Sequence, residues 1–176
     1  PNSIIDIGDY AFSGCTSLKN IKIPENVTSI KNGIFKNCYN LEKVEIPTGV
    51  TSIGEYAFNN CTSLKNIIIP DKVFSIGECA FSGCSGLTSI SIPNSVTNIN
   101  AFAFSGCSSL KYVNLSQNVK EIGRLAFYSC TSLQSIDIEY VEQIGMQAFE
   151  NCSNLISITL PEKLTIINER VFAECI

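Results

Sequence analysis

A 23-residue pattern recurs along this chain, and it limits the fold more than any other feature of the sequence. Each copy carries the same apolar skeleton, which within residues 53–70 consists of Ile53, Ala57, Phe58, Cys61, Leu64, Ile67 and Ile69. A period of about 20 to 50 residues is typical of solenoids, propellers and linear arrays. Each repeat of an array supplies its own part of the core, so 176 residues with 45% hydrophobic and 16% charged composition predict one repeat domain.

The copies align on the motif Phe-x-x-Cys, which gives seven whole repeats and part of an eighth. The predicted repeats are 1–23, 24–46, 47–69, 70–92, 93–115, 116–138, a shorter one at 139–160 and a partial one at 161–176. The Phe position is held by Phe12, Phe35, Phe58, Phe81, Phe104, Phe127, Phe149 and Phe172. The Cys position is held by Cys15, Cys38, Cys61, Cys84, Cys107, Cys130, Cys152 and Cys175. Because the chain starts without Met and stops within a repeat, we expect it to be part of a longer array.

Each repeat is predicted to contain two extended segments. Leu-x-x-Ile-x-Ile, as at 64–69, alternates apolar and polar residues, and this period of two indicates a half-buried strand. Pro follows in most copies, and because it has no N–H for a β-ladder, the strand is predicted to end there. A later apolar pair, such as Val50 and Ile53, predicts a brief strand on the opposite side. Stacked coils would then form one parallel sheet of seven strands, about 34 Å long at the usual strand spacing.

Two turns are predicted between these strands. Gly or Asn follows the second apolar pair in most copies, as at Gly54 and Asn100, and both residue types tolerate a positive φ, so we expect a left-handed turn there. Lys31 is the least suited occupant of this position. The next segment, Ala-Phe-x-x-Cys, has no β-branched residue in most copies and is predicted to form one helical or 3₁₀ turn that directs Phe and Cys inward.

The consensus Leu-x-x-Ile-x-Ile-Pro-x-x-Val-Thr-Ser-Ile-Gly-x-x-Ala-Phe-x-x-Cys is nearly complete in residues 41–61 and again in 64–84. It resembles the BspA-type leucine-rich repeat over the whole chain. The resemblance implies a curved, right-handed leucine-rich-repeat solenoid with a parallel β-sheet on one face and short turns and strands opposite. It also implies a surface or secreted protein of the kind found in bacteria and parasitic protists, where the family is associated with adhesion to host matrix proteins and cells.

Nine cysteines raise the question of disulfides or a metal site. Stacked cysteines would lie about 4.8 Å apart at Cα, but their parallel Cα–Cβ bonds disfavour bridging. A zinc site needs closely spaced ligands, and the chain has no His. We therefore expect the eight aligned cysteines to be buried free thiols and predict neither metal nor cofactor. Cys79 lies outside this column, where two interpretations remain open: a reactive surface thiol, or a side chain packed against Tyr56 and Phe102.

Composition argues against several classes of function. The net charge is −4 and the Lys and Arg residues are scattered, so the chain offers no basic stripe for nucleic acid. No apolar run reaches the length of about 18 residues that a membrane span requires. His and Trp are absent, the glycines recur as turn residues rather than as a phosphate loop, and carboxylates such as Glu42 and Glu45 fall on an open strand face. We therefore predict no catalytic site.

We predict that a partner is recognised by the outward residues of the strands, because their residue types vary from repeat to repeat while those of the core stay the same. The candidate binding residues are Lys22, Lys43, Glu45, Asn66, Ile68, Tyr112, Asn114 and Asp137. Ile68 and Tyr112 are the apolar members, and aromatic anchors are enriched where partners bind. Isolated exposed apolar residues are also ordinary on protein surfaces, so a passive face remains an alternative.

The sixth and seventh repeats depart from the pattern. Ser116 replaces Pro, one residue is missing near Tyr140, and Tyr128 and Tyr140 are expected at the surface. Loop drift and function would explain this irregularity equally well.

These features together predict a non-catalytic module that binds a protein, or a glycan, through its strand face. The resemblance places it in a cell-surface or secreted protein that engages host matrix or cell-surface partners. The alternative is a structural spacer without a ligand of its own, which would have near-identical outer residues from coil to coil. Both ends of the chain would expose core columns, so end-to-end self-association or fraying is expected.

Overall fold

The computed structural model describes residues 3–176, which form a parallel β-solenoid in which each coil corresponds to one sequence repeat. Its strands are β1 (Asn20–Lys22), β2 (Ser29–Ile30), β3 (Lys43–Glu45), β4 (Ser52–Ile53), β5 (Ser75–Ile76), β6 (Ser89–Ser91), β7 (Asn98–Ile99), β8 (Tyr112–Asn114), β9 (Glu121–Ile122), β10 (Ser135–Ile136) and β11 (Gln143–Ile144). No helix occurs within these residues. The repeat solenoid predicted from the sequence is therefore confirmed.

Strand pairing places equivalent residues of successive coils side by side. Ile21 pairs with Val44 and Ile90 with Val113, so that each partner lies one repeat further along the chain. On one side of the coils the ladders are β1-β3 and β6-β8-β10, and on the other they are β2-β4-β5 and β7-β9-β11. Because the offset equals the repeat length, equivalent positions of the repeat line up in columns across the coils.

The expectation of a single seven-stranded sheet is wrong. Residues 66–68 form no β-ladder, so the longer strands divide into a two-stranded and a three-stranded sheet. Ile67 and Ile69 remain 7% and 6% exposed, so their side chains keep the core continuous where the backbone ladder lapses. Side-chain packing rather than strand pairing holds this side of the coil in the stack.

The core is a column of phenylalanine rings. Successive rings from Phe12 to Phe172 lie 5.2–5.6 Å apart between centroids, with planes within 22° of parallel. The six inner rings are fully buried, and the two terminal ones are partly buried. Burial of a Phe side chain contributes about 1.5–3 kcal/mol, so this column is a major part of the stability of every coil.

The Ala-Phe-x-x-Cys segment, predicted to form one helical or 3₁₀ turn, instead forms two consecutive reverse turns. Asn59 N–H donates to Tyr56 O at 3.0 Å and Cys61 N–H to Phe58 O at 3.1 Å, as one helical turn would require. Tyr56, which begins the first turn, and Asn60, which lies within the second, have φ of 56° and 60°, and a right-handed helix does not admit this backbone conformation. Both residues donate their N–H to the next coil, Tyr56 to Glu78 O and Asn60 to Ser82 O, and these bonds hold the left-handed backbone in place.

The glycines expected to take a positive φ do not take it. The left-handed residues lie two positions later, as at Tyr56, while Gly54 and Gly77 stay outside this region. Lys31 is likewise free of the strain that the sequence suggested. Glycine is needed for close approach: a Cβ at Gly77 would lie 2.5 Å from Glu55 N of the preceding coil. The turn therefore selects Gly because the coils touch there.

Substitution of Gly77 measures this contact. We expect Gly77→Ala to lower the free energy of unfolding by about 1–3 kcal/mol, because the backbone of the preceding coil must move to admit the methyl group. Gly49→Ala is the matched control, since its Cβ would meet only Glu25 O at 4.0 Å. Chemical denaturation of both variants compares the two sites. An equal loss of stability at Gly49 and Gly77 would contradict the close-approach explanation.

Candidate recognition surface

All eight candidate binding residues are exposed on the side of the coils that carries the longer strands. Lys22, Lys43, Glu45, Tyr112 and Asn114 lie within strands, and Asn66, Ile68 and Asp137 lie at equivalent positions of other coils. Outward and inward side chains alternate along these strands as predicted. Val44 and Val113, which separate the outward residues, are only 8% and 7% exposed. The strand face is therefore a single outward surface.

At the N-terminal end of this face the charged side chains neutralise one another. Lys43 Nζ lies 2.6 Å from a carboxylate oxygen of Glu45, and Lys22 is the strand partner of Glu45 in the register. The hydrogen bond from Lys43, together with the charges of both lysines, lowers the pKa of Glu45. We call Lys22, Lys43 and Glu45 the charged zone. Exposed pairs of this kind add little stability, and here they leave little unbalanced charge for a partner.

Further along the face, uncharged polar residues flank one aromatic ring. Tyr112 pairs in register with Ser89 on one side and Ser135 on the other, and Asn114 pairs with Ser91. The short serine side chains leave the tyrosine 57% exposed. We call Ser89, Ser91, Tyr112, Asn114 and Ser135 the neutral zone. A rigid aromatic side chain among serine and asparagine is the composition that binding surfaces favour.

Two exposed apolar residues escaped the sequence reasoning. Ile156 is 84% exposed, and its N–H donates to Gln134 O, which places it on the strand face of the following coil. Other copies carry Lys65 or Lys111 at this position, so a comparison of columns would have revealed the exchange. Phe74 is 59% exposed on the opposite side, where other copies carry Thr.

The irregular sixth and seventh repeats place only one of their two tyrosines fully at the surface. Tyr140 is 46% exposed, whereas Tyr128 is half-buried. The buried hydroxyl of Ser116, which replaces Pro, has no hydrogen-bond partner among the described residues.

The aligned cysteines form a ladder of thiols. The prediction that all eight are buried is wrong for exposed Cys15 and half-buried Cys175, which lie at the two ends of the stack, and is confirmed for those from Cys38 to Cys152. Each donates to a phenylalanine carbonyl of the preceding coil, as Cys84 Sγ does to Phe58 O at 3.1 Å. Burial raises the pKa of Cys84, Cys107 and Cys130 well above the ordinary value, and that of Cys152 to about 12. A thiol held in its neutral form is a poor nucleophile, so the ladder is structural in character.

Cys79 also belongs to the interior. It is 9% exposed and takes a left-handed φ of 55°. Burial raises its pKa, although a hydrogen bond with Tyr56 partly offsets this effect. Of the two interpretations of Cys79, the structure favours a packed side chain over a reactive surface thiol.

Comparison with known proteins identifies the repeat. A sequence model of the BspA type leucine rich repeat region matches residues 1–95 and 75–176, with six copies. Comparison with curated proteins gave no significant match. Within residues 3–176 the structure contains no helix of the length and apolarity needed to cross a bilayer.

Solved structures of bacterial leucine-rich repeat proteins share the fold. The chain is 24% identical to the T. pallidum protein TpLRR, with a TM-score of 0.65 over 86% of this chain and 72% of the other. It is 22% identical to the pneumococcal vaccine antigen PcpA, with a TM-score of 0.52, covering 89% of this chain and 38% of that one. A leucine rich cell surface protein of Faecalibacterium prausnitzii is 30% identical, with a TM-score of 0.47 and coverage of 94% and 59%. With its whole length matched by the repeat model and its coils stacked in register, the chain belongs to the BspA-type leucine-rich repeat family.

Proposed function

We propose that this chain is a non-catalytic binding module of a cell-surface or secreted protein, and that it attaches to host matrix or cell-surface proteins through its strand face. The observation that carries the proposal is Tyr112, which stands 57% exposed between Ser89 and Ser135 in an uncharged surface. Aromatic anchors surrounded by small polar residues dominate the energetics of many protein interfaces. A glycan partner would use the same hydroxyl and amide groups and is the second outcome of the test.

Extracellular placement is part of this proposal. It is supported by the structural similarity to a protein described as a pneumococcal vaccine antigen.

Substitution of the two apolar residues of the face tests the assignment. We expect Tyr112→Ala to weaken binding to an immobilised panel of matrix proteins and neutral glycans by at least tenfold, since loss of a hot-spot anchor costs about 2 kcal/mol or more and about 1.4 kcal/mol is tenfold in affinity. Ile68→Ala, 84% exposed on the same face, is expected to weaken binding less. Tyr39→Ala is the matched control, because Tyr39 is 44% exposed outside the strand face. Binding that survives both face substitutions would remove this surface from the proposal.

A structural spacer remains the second candidate, and the unbroken column of Phe rings supports it by stiffening the stack. A spacer would bind none of the panel, with or without Tyr112.

The proposal also includes end-to-end association of the 1–176 polypeptide, because Ile5 in the first coil and Ile166 in the last are 72% and 65% exposed. Sedimentation velocity at two concentrations checks this, and a monomer at both would contradict it.

A further inference from the structure

The coil that lacks one residue has a recessed turn. Ile138 takes the turn position held by Ser116 in the preceding coil and by Pro161 in the next, because Val141 N–H donates to Ile138 O as Val119 N–H does to Ser116 O. The strand pairing of Glu121 with Gln143 spans one residue fewer along the chain than that of Asn98 with Glu121. The residue that opens the turn in the two neighbouring coils is thus missing, and the buried Ile138 both ends the strand segment and begins the turn.

A groove of about 460 Å³ occupies the resulting gap. We call it the notch, and the residues that matter in it are Lys120, Glu139, Tyr140, Leu160, Glu162 and Lys163. Its volume is within the range of small binding pockets. It lies beside the strand face, since an adjoining groove lined by Ser135, Asp137 and Ser157 shares Glu139 and Thr159 with it.

The cations of the notch are already engaged. Lys120 Nζ donates to Gln117 O at 3.2 Å and to Tyr140 O at 3.3 Å. Lys163 Nζ lies 3.5 Å from Glu142 Oε1. The carboxylates of Glu139 and Glu162 are exposed, and neither forms an ion pair within residues 3–176. Lys163 is neutralised by Glu142, whereas no carboxylate pairs with Lys120 within residues 3–176, so Glu139 and Glu162 leave the notch with an excess of one negative charge.

The walls of the notch supply apolar contact. Tyr140 and Leu160 are each 46% exposed, so the notch combines an aromatic ring and an aliphatic side chain with the two carboxylates. Lys120 Nζ lies 5.6 Å from the centre of the Tyr140 ring, so a cation of the chain itself already covers one face of this ring and a ligand would contact the remaining exposed surface. An aromatic face next to carboxylates suits a guanidinium or ammonium group.

We propose that the notch binds a basic side chain, Arg or Lys, flanked by apolar residues in an extended segment of a partner protein. The apolar neighbours of the bound side chain would contact Leu160, while its charge lies between Glu139 and Glu162. This site is separate from the neutral zone around Tyr112, so it stands or fails independently of the proposed function.

Fluorescence polarisation with labelled ten-residue peptides tests the proposal on the 1–176 chain. Three peptides are compared: in the first Leu alternates with Arg, in the second with Gln, and in the third with Glu. We expect the Leu/Arg peptide to bind at least tenfold more tightly than the other two, and its affinity to fall about tenfold in Tyr140→Ala and in the double variant Glu139→Gln/Glu162→Gln. Matched controls are Tyr39→Ala and Glu55→Gln/Glu78→Gln, which remove a tyrosine and two exposed carboxylates elsewhere.

A variant that restores the missing residue tests most directly whether the notch is the binding site. Insertion of Pro between Ile138 and Glu139 returns the coil to the full length of its neighbours, so the turn should move outward, fill the notch and abolish peptide binding. Circular dichroism confirms that the insertion keeps the fold, and if it does not, the substitutions above decide. Equal binding of the Arg and Gln peptides, no binding of the Arg peptide, or an equal loss of affinity in the control variants would each overturn the proposal.

Discussion

Above pH 9 the folded protein should lose stability steeply. Seven ladder thiols have pKa values raised above the ordinary 9.0, with burial as the largest cause, and the shift is largest for Cys61, Cys84, Cys107, Cys130 and Cys152. Between the unfolded and folded pKa values the native chain keeps these protons while the unfolded chain releases them, so stability falls as pH rises. The stability is fully present below about pH 9 and is lost progressively above it. Well above pH 9, where the unfolded thiols are ionised, each thiol contributes a slope that approaches about 1.4 kcal/mol per pH unit.

Urea denaturation from pH 8 to pH 10.5 in the presence of a reductant measures this slope. Cys107→Ser is the matched variant, because serine can keep the hydrogen bond to Phe81 O while removing a group that titrates in this range. Its slope should be smaller by about 1.4 kcal/mol per pH unit. A free energy of unfolding that stays constant across this range would show that the thiols are not buried in neutral form.

Truncation of an inner ring should be the most damaging single substitution of the core. Phe81 is fully buried, with Phe58 at 5.2 Å on one side and Phe104 at 5.4 Å on the other. We expect Phe81→Ala to lower the free energy of unfolding by about 3–5 kcal/mol, because it removes the buried ring and leaves a cavity between two others. Chemical denaturation followed by circular dichroism gives the value.

The control for this substitution lies at the end of the same column. Within residues 3–176 Phe12 stacks on Phe35 alone and is only partly buried, so Phe12→Ala should lower the free energy of unfolding by about half as much as Phe81→Ala or less. If both substitutions lower the free energy of unfolding equally, the rings do not stabilise the protein as a continuous stack.

The sequence predicts the columns because a fixed period places identical residues above one another. Phe58 and Phe81 recur one repeat apart, and once coils stack, their contact follows from geometry alone. The exposed strand face follows in the same way, since alternation around Val44 and Val113 decides which side chains point outward. Tyr112 and Ile68 could be found because they are exceptions within otherwise polar columns.

Backbone detail could not be predicted from the same pattern. A recurrent glycine indicates either a positive φ or a close contact, and only the structure shows that Gly77 is needed because Glu55 N lies where its Cβ would be. The left-handed φ at Tyr56 runs against the preference of a bulky residue and is imposed by hydrogen bonds to the next coil. The lapse of the ladder at residues 66–68 has no counterpart in the apolar pattern, which continues through Ile67 and Ile69.

The notch shows how a small departure from the repeat produces a surface feature. The missing residue before Glu139 was visible in the sequence, but its consequence depends on the turns on either side, which stay at full length. Neither the groove nor the pairing of Lys120 and Lys163 follows from the sequence, because both depend on contacts between residues of different coils.

Alkylation of the cysteines in the native protein tests most directly whether identical side chains stack into one closed core. At pH 7.5, with peptide mapping by mass spectrometry, exposed Cys15 should be modified rapidly, and half-buried Cys175 more slowly. Cys84 and Cys107 should remain unmodified until the chain is unfolded in denaturant. Modification of these two thiols at the rate of Cys15 would contradict the stacked core.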